Sequence, residues 1–204
     1  MKNAIVTIAR QYGSGGREVG QKLAELTGYA FYDKDLITMA AQKSGLNHAV
    51  LDAADEKAAN SLLYTLAMGS ASYHHGLNNL HVPLNDKLFT VQSEIIRELA
   101  QEDKGAIIVG RCADYVLADH PKVLRVFISA DFDKRVENIM HQQNLTENQA
   151  RELVIKTDKR RSNYYNYYTG GKWAKLENYD LIISTDKTGI DGAAQLIRMY
   201  MDLM

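Results

Sequence analysis

The chain has 204 residues, 46% of them hydrophobic and 24% charged, enough for one domain with a sizeable buried core. Lysine plus arginine (24) nearly cancels aspartate plus glutamate (25), so no global charge points to nucleic acid or an anionic membrane as partner. The single cysteine, Cys112, excludes an intrachain disulfide, no run nears the ~18 apolar residues of a membrane span, and the apolar stretch before Arg10 is shorter than a secretory leader's. The expectation is one cytoplasmic domain over residues 1–204.

Residues 4–9 (AIVTIA) read as a buried strand, continuously apolar and β-branched rather than alternating, as suits a sheet covered on both faces. A glycine cluster follows, and then a helix whose apolar face is Val19, Leu23, Ala24 and Leu26, with Gly28 as its stop. Residues 30–32 make a short strand ending at Asp33. Residues 44–86 break the alternation and read as a mostly helical insertion. Leu88, Val91, Ile95, Ile96 and Leu99 mark the next helix.

Residues 106–109 (AIIV), 123–129 (VLRVFIS) and 179–185 (YDLIIST) are further buried strands. A helix with Val136, Ile139 and Met140 follows Asp131. Thr146-Glu-Asn-Gln149 is a capping box that opens another, running into the 160s. Residues 189–204 close the chain as a helix with Ile190, Ala194, Ile197 and Met201 on one side. Alternating strands and helices predict an α/β fold, a parallel sheet of about five strands flanked by helices.

The first strand-to-helix junction carries the clearest chemistry: Arg10-Gln-Tyr-Gly13-Ser14-Gly15-Gly16-Arg17-Glu18. Glycines let successive backbone N–H groups face one anion, and the helix that follows adds its own N-terminal N–H groups and partial positive charge. A tight turn without a ligand needs fewer glycines. The standard phosphate loop is G-x-x-x-x-G-K-[ST]. Placing Gly15 at its last glycine puts Gly16 in the lysine slot and Arg17 in the hydroxyl slot. The positive group then has to come from Arg17, Arg10 or elsewhere, and the Mg²⁺ ligand is unassigned, with Glu18 a candidate. A dinucleotide fingerprint fits less well: Gly13 and Gly15 match G-x-G-x-x-G, but Glu18 stands at the third glycine, although Asp33 lies where a ribose-binding acid is expected.

Gly110, Arg111 and Asp114 sit just past a buried strand, at the sheet edge where ligands of open α/β sheets bind, and Arg111 there suits a fork onto a phosphate. Its bland reading is a surface arginine at a helix start. Arg135 lies one turn into the helix after Asp131, equally readable as solvated or functional. Residues 158–168 (DKRRSNYYNYY) bring Arg160 and Arg161 together with tyrosines at a helix end. Paired arginines on a moving segment suit phosphoryl transfer; a solvated basic helix end is the alternative.

Taken together, these motifs resemble the cytidylate kinase-like family, a branch of the nucleoside monophosphate kinases. The resemblance rests on residues 7–20, FYDKDLI at 31–37, IIVGRCADYVL at 107–117, FISADFDKRV at 127–136, DKRRSNYY at 158–165 and YDLIIST at 179–185. It implies a P-loop kinase-like fold, with 44–86 as a helical acceptor-binding insertion and 144–175 as an arginine-bearing lid. It implies ATP and Mg²⁺ as cofactors and CMP or dCMP as acceptor. Residues 10–17 would hold donor phosphates, with Arg135 near the donor. Arg111 and Asp114 would contact the acceptor, Asp33 or Asp35 would line the site near the acceptor or Mg²⁺, and Arg17, Arg160 and Arg161 would act on the transferring group. Its partners would be small-molecule nucleotides, with no nucleic acid or membrane, and a homo-oligomer is open. Two other readings stand beside it: a nucleotide-binding sensor without turnover, and a kinase of a different small-molecule acceptor.

Several residues have blander readings. His74, His75 and His81 lack metal-ligand spacing and read as a loop. Cys112 reads as a small buried thiol. Met199, Met201 and Met204 read as core or subunit packing.

Overall fold

The computed structural model describes residues 3–33, 84–102 and 104–204. The chain divides into two compact units, residues 1–34 with 96–204, and residues 35–95. The first unit holds a parallel five-stranded sheet, made of β1 (Ile5–Arg10), β2 (Ala30–Tyr32), β3 (Ala106–Val109), β4 (Val123–Ser129) and β5 (Leu181–Ser184) in the order β2-β3-β1-β4-β5. Its helices are α1 (Gly16–Thr27), the short α3 (Ala113–Val116), α4 (Phe132–Gln143), α5 (Glu147–Thr169) and α6 (Thr185–Leu203). Between β2 and β3 runs α2 (Leu84–Gln101), whose first residues belong to the second unit. Among the described residues, no helix is long and apolar enough to cross a membrane.

The strand positions follow from burial on both faces. Ile5, Val6, Thr7, Ile8 and Ala9 are all buried, so β1 has no solvent face and no alternation. Val6, Ile8, Val109, Leu124 and Ile128 pack with Val19 and Leu23 of α1 and with Ala193, Ala194, Ile197 and Met201 of α6. On the other face, Ala9, Phe127 and Tyr179 gather under Trp173. Val136 and Ile139 of α4 pair with Ala150 and Val154 of α5 in a separate cluster, against which Tyr12 packs.

Local signals set the boundaries. Asp131 caps α4, accepting from the N–H groups of Asp133 and Lys134, and Thr146 with Gln149 forms the expected reciprocal box at the start of α5. Gly28 and Gly170, both left-handed, end α1 and α5. Two boundaries differ from the sequence expectation. α5 continues to Thr169, so Arg160 and Arg161 lie within the helix rather than at its end, because nothing breaks the helix before Gly170-Gly171. α6 begins at Thr185, one turn earlier than expected, and is kinked at Gly189 (φ 65°, ψ 179°). The expected insertion lies outside the described residues over 44–83, and its last residues open α2. His74, His75, His81 and Asp35 also lie outside the described residues. Met201 is core, whereas Met199 and Met204 are exposed.

Candidate functional site

The loop between β1 and α1 lies at the carboxyl edge of the sheet, flanked by β3 on one side and β4 on the other. That is the position at which an open α/β sheet binds its ligands. Along the loop, five consecutive carbonyls each accept a hydrogen bond from a side chain. Arg161 Nη1 donates to Arg10 O (2.8 Å), Ser14 Oγ to Gln11 O (2.8 Å), and Arg135 Nη1 to Tyr12 O (3.2 Å). Asn138 Nδ2 donates to Gly13 O (2.9 Å) and Thr185 Oγ1 to Ser14 O (2.7 Å). The N–H groups of Gln11, Tyr12 and Ser14 are themselves given to Ile128 O (3.0 Å), Asp158 Oδ1 (2.8 Å) and Gln11 O (3.4 Å), so the N–H groups the loop has to offer an anion are those at its glycines, Gly13, Gly15 and Gly16.

Left-handed glycines make that conformation possible. Gly13 has φ 77° and Gly15 φ 73°. Gly15 is also the N-cap of α1 and carries no side chain, so no side chain caps the first turn. The first N–H groups of a helix have no acceptor within it, which leaves those of α1 for an external acceptor such as phosphate. This donor set fits the phosphate chain of a nucleotide.

Arg135 and Asp158 brace the loop from behind. Arg135 Nη1 stands 2.6 Å from Asp158 Oδ2, and its Nε donates to Ala130 O (3.2 Å). Asp158 Oδ1 accepts from the N–H of Tyr12 (2.8 Å). Tyr12 is thus held at its carbonyl by α4 and at its N–H by α5. A Cβ on Gly13 would lie 2.6 Å from Arg135 O, so the loop rests directly on the α4 backbone.

On the β3 side, arginines gather around one carboxylate. Arg17 Nε donates to Asp33 Oδ2 at 2.7 Å, and Arg10 Nη2 lies 3.8 Å from Asp33 Oδ1. Arg161 lies 5.3 Å above the Tyr12 ring. Burial, then the charge of Arg161, pulls the Arg10 guanidinium down to about 9, against Asp33, which raises it; Arg111 and Arg17 lower it further. Burial also lowers Arg161, opposed by Asp158 and Tyr12. A site with this surplus of positive charge favours a polyanion.

Asp114 stands apart from that group. It is buried at the start of α3 and accepts from Tyr165 Oη (2.9 Å). Burial pushes its carboxyl up, against the Tyr165 hydrogen bond. Arg160 is half-buried on α5, and Glu18 is exposed on the first turn of α1. Cys112 is buried, and burial followed by the charge of Asp114 pushes its thiol up, which suits packing rather than attack. Among the described residues, no group of three or more His, Cys, Asp or Glu side chains is arranged to hold an ion.

Gln11, Tyr12, Asn138, Asp158 and Thr185 belong to the loop's support; all but Asn138 lie in motifs the sequence shows, but nothing in those motifs gives them this role. Gln11 was legible only as part of the loop; its Oε1 accepts from the N–H of Ala130 (3.2 Å).

The chain aligns with a cytidylate kinase from Sulfurisphaera tokodaii at 26% identity over 119 residues, 57% of this chain and 66% of that protein. The match thus spans just under two thirds of the relative's length. A crystal structure of an uncharacterized protein from Eubacterium ventriosum is similar over 98% of this chain and 99% of that one, with 29% identity and a TM-score of 0.72. Shikimate kinase from Bacteroides thetaiotaomicron shares the fold at 11% identity and a TM-score of 0.53, over 98% of each chain. The profile of the cytidylate kinase-like family matches residues 5–187. With a phosphate-type loop at the edge of a five-stranded parallel sheet and that match over most of its length, the chain belongs to the cytidylate kinase-like family.

Proposed function

We propose that this chain transfers the γ-phosphoryl group of ATP, as its Mg²⁺ complex, to a nucleoside monophosphate, with CMP or dCMP as the acceptor. The observation that carries this reading is the loop itself: five carbonyls held by side chains, and the first turn of α1 without a side-chain cap, beside the group of Arg10, Arg17 and Arg161. The family supports a nucleotide as substrate, and the cytidylate kinase relative supports the pyrimidine monophosphate.

In this reading Arg10, Gly13, Ser14, Gly15, Gly16 and Arg17 hold the donor phosphates, and Glu18 borders them. Arg135 acts through the loop that it holds. Arg111 takes the acceptor phosphate, and Asp33 or Asp35 lines the site near the acceptor or Mg²⁺. Asp114 fixes Tyr165 and so ties α3 to α5. Residues 144–175 form the lid-like segment that brings Arg160 and Arg161 to the transferring group, and 44–86 form the acceptor-binding insertion. An acceptor phosphate oxygen attacks the γ-phosphorus, the bond to the β-phosphate oxygen breaks, and ADP leaves with that electron pair. The protein's part is alignment and neutralisation of spread negative charge.

The test is ADP formation from ATP and Mg²⁺ with CMP, dCMP, UMP, AMP and GMP as acceptors, and Arg161→Ala as control. Turnover that depends on CMP or dCMP and collapses in the control supports the proposal. ADP binding without turnover on any acceptor overturns it. That outcome favours the second reading, a nucleotide sensor, to which the glycine in the lysine slot points.

A further inference from the structure

The phosphate loop here lacks lysine at its seventh position and glycine at its first, and the two departures occupy one place in space. In the register G-x-x-x-x-G-K-[ST], the first position is Arg10 and the seventh is Gly16. A Cβ on Gly16 would stand 2.5 Å from Arg10 Cβ and 2.9 Å from its Cγ, with Ile128 Cβ at 3.2 Å. Side chains cannot stand at both positions. A lysine at 16 requires glycine at 10, and an arginine at 10 requires glycine at 16.

Arg10 then runs from the start of α1 toward the tip of β3. A Cβ on Gly110 would run into its Nη1, so a second glycine is also kept bare beneath the guanidinium. Gly110 has φ 79°, a conformation that disfavours a side chain independently. The Arg10 side chain is only 20% exposed, and the nearest carboxylate oxygen of its ion pair with Asp33 is 3.8 Å away, whereas Arg17 holds the same carboxylate at 2.7 Å. Arg17 is therefore tied to the end of β2, with its guanidinium 5.8 Å over Phe31. Arg10 carries the less satisfied charge, between the loop and the Gly110 edge. A largely shielded arginine with so loose a partner among the described residues is costly unless a ligand completes it.

We infer that Arg10 and Gly16 are a reciprocal exchange within the phosphate loop, in which Arg10 supplies from the first position the positive contact to the nucleotide phosphates that lysine supplies from the seventh. This rests on the phosphotransferase reading for its ligand, but its own content is which residue meets the phosphates. The arginine fork can engage two phosphate oxygens at once, where a lysine acts as a point charge. The lowered guanidinium pKa agrees, since a bound phosphate would supply the negative charge that the surrounding arginines lack.

The test is calorimetric titration of ADP and of inorganic tripolyphosphate into wild type, Arg10→Met, Arg10→Lys, Arg10→Gly, Gly16→Lys and the double variant Arg10→Gly/Gly16→Lys. Arg10→Met keeps the packing against Gly16 and removes the charge; its affinity for both probes should fall on the order of 100-fold with the Tm retained. Arg10→Lys should fall less. Arg10→Gly and Gly16→Lys should each bind weakly, and the double variant, which restores the glycine of the first position and the lysine of the seventh while Arg17 stays in the hydroxyl slot, should recover most of the lost affinity. Wild-type affinity in Arg10→Met overturns the inference, whether or not the double variant folds. A double variant that folds with wild-type Tm and binds as weakly as Arg10→Gly also overturns it. Failure here is separable from failure of the kinase reading. A wild type that binds ADP but phosphorylates no acceptor leaves the Arg10 result intact, and Arg10→Met that turns over CMP like wild type sinks the inference alone.

Discussion

Asp158 holds both Arg135 and Tyr12: its Oδ2 lies 2.6 Å from Arg135 Nη1, and its Oδ1 accepts from the N–H of Tyr12 at 2.8 Å. The Arg135 side chain is 7% exposed and that of Asp158 is 17%, so this pair is shielded from solvent screening. Asp158→Ala would leave a buried guanidinium without its carboxylate and a loop N–H without its acceptor. The expected loss is about 3 kcal/mol of stability, measured by urea denaturation, together with weaker ADP binding. Arg135→Met/Asp158→Leu, which removes both charges, should lose less stability than Asp158→Ala. If the single variant unfolds at the wild-type midpoint, the brace is not what fixes the loop.

The glycines of the loop differ in what surrounds them, and that difference is testable. Gly13 and Gly28 have similar left-handed φ values of 77° and 71°. A Cβ on Gly28 meets nothing within 4 Å, whereas on Gly13 it meets the backbone oxygen of Arg135 at 2.6 Å. Gly28→Ala should therefore cost only the left-handed strain, about 1 kcal/mol. Gly13→Ala should cost on the order of 3 kcal/mol because a helix backbone cannot step aside. Paired denaturation curves decide it; equal losses would mean that the loop shifts away from α4 at little cost.

Thr185 links the loop to the end of β5. Its Oγ1 lies 2.7 Å from Ser14 O and 3.2 Å from Ser129 O, and it reaches them because α6 starts one turn before the Gly189 kink. Thr185→Val keeps the shape and removes the hydroxyl, leaving Ser14 O without that donor. ADP affinity should drop about 5-fold, with a stability loss of about 1 kcal/mol. Unchanged affinity by titration would show that the loop holds its conformation without this bond.

The parts legible in the sequence are those whose cause is local. Strands β3 and β4 are runs of buried β-branched residues, Thr146-Glu-Asn-Gln149 caps its own helix, and the glycines mark the loop. The loop's support was not legible, because Asn138, Asp158 and Thr185 reach it from 125, 146 and 171 residues away in the chain. An asparagine or threonine on a helix has no local pattern that distinguishes a distant carbonyl from solvent as its partner. Arg135 was ambiguous for the same reason: only packing against Ala130, Tyr12 and Asp158 separates it from a solvated helix residue. The Arg10–Gly16 exchange was half legible. The register placed the glycine in the lysine slot, but that Arg10 fills the space above it depends on how the strand end meets the helix start.

Asp114 makes stability depend on pH in a direction that can be worked out. Burial raises its folded-state pKa above the ~3.9 of an unfolded aspartate, against the pull of the Tyr165 hydrogen bond. Between those two values the native state holds more proton than the unfolded state, so stability falls as pH rises through that window. Above the window the full cost of the buried charge is present; below it, none is. Asp114→Asn keeps an acceptor for Tyr165 Oη and removes the charge. Its urea midpoint should exceed wild type near about pH 7, and the gap should shrink toward about pH 3.5, where wild type is itself protonated. Tyr165→Phe should act oppositely, stripping the carboxylate of its donor at a cost of about 1–3 kcal/mol near neutrality. A gap between Asp114→Asn and wild type that stays constant with pH would mean that Asp114 does not titrate differently in the folded chain, and that Tyr165 and the α3 N–H groups offset its burial.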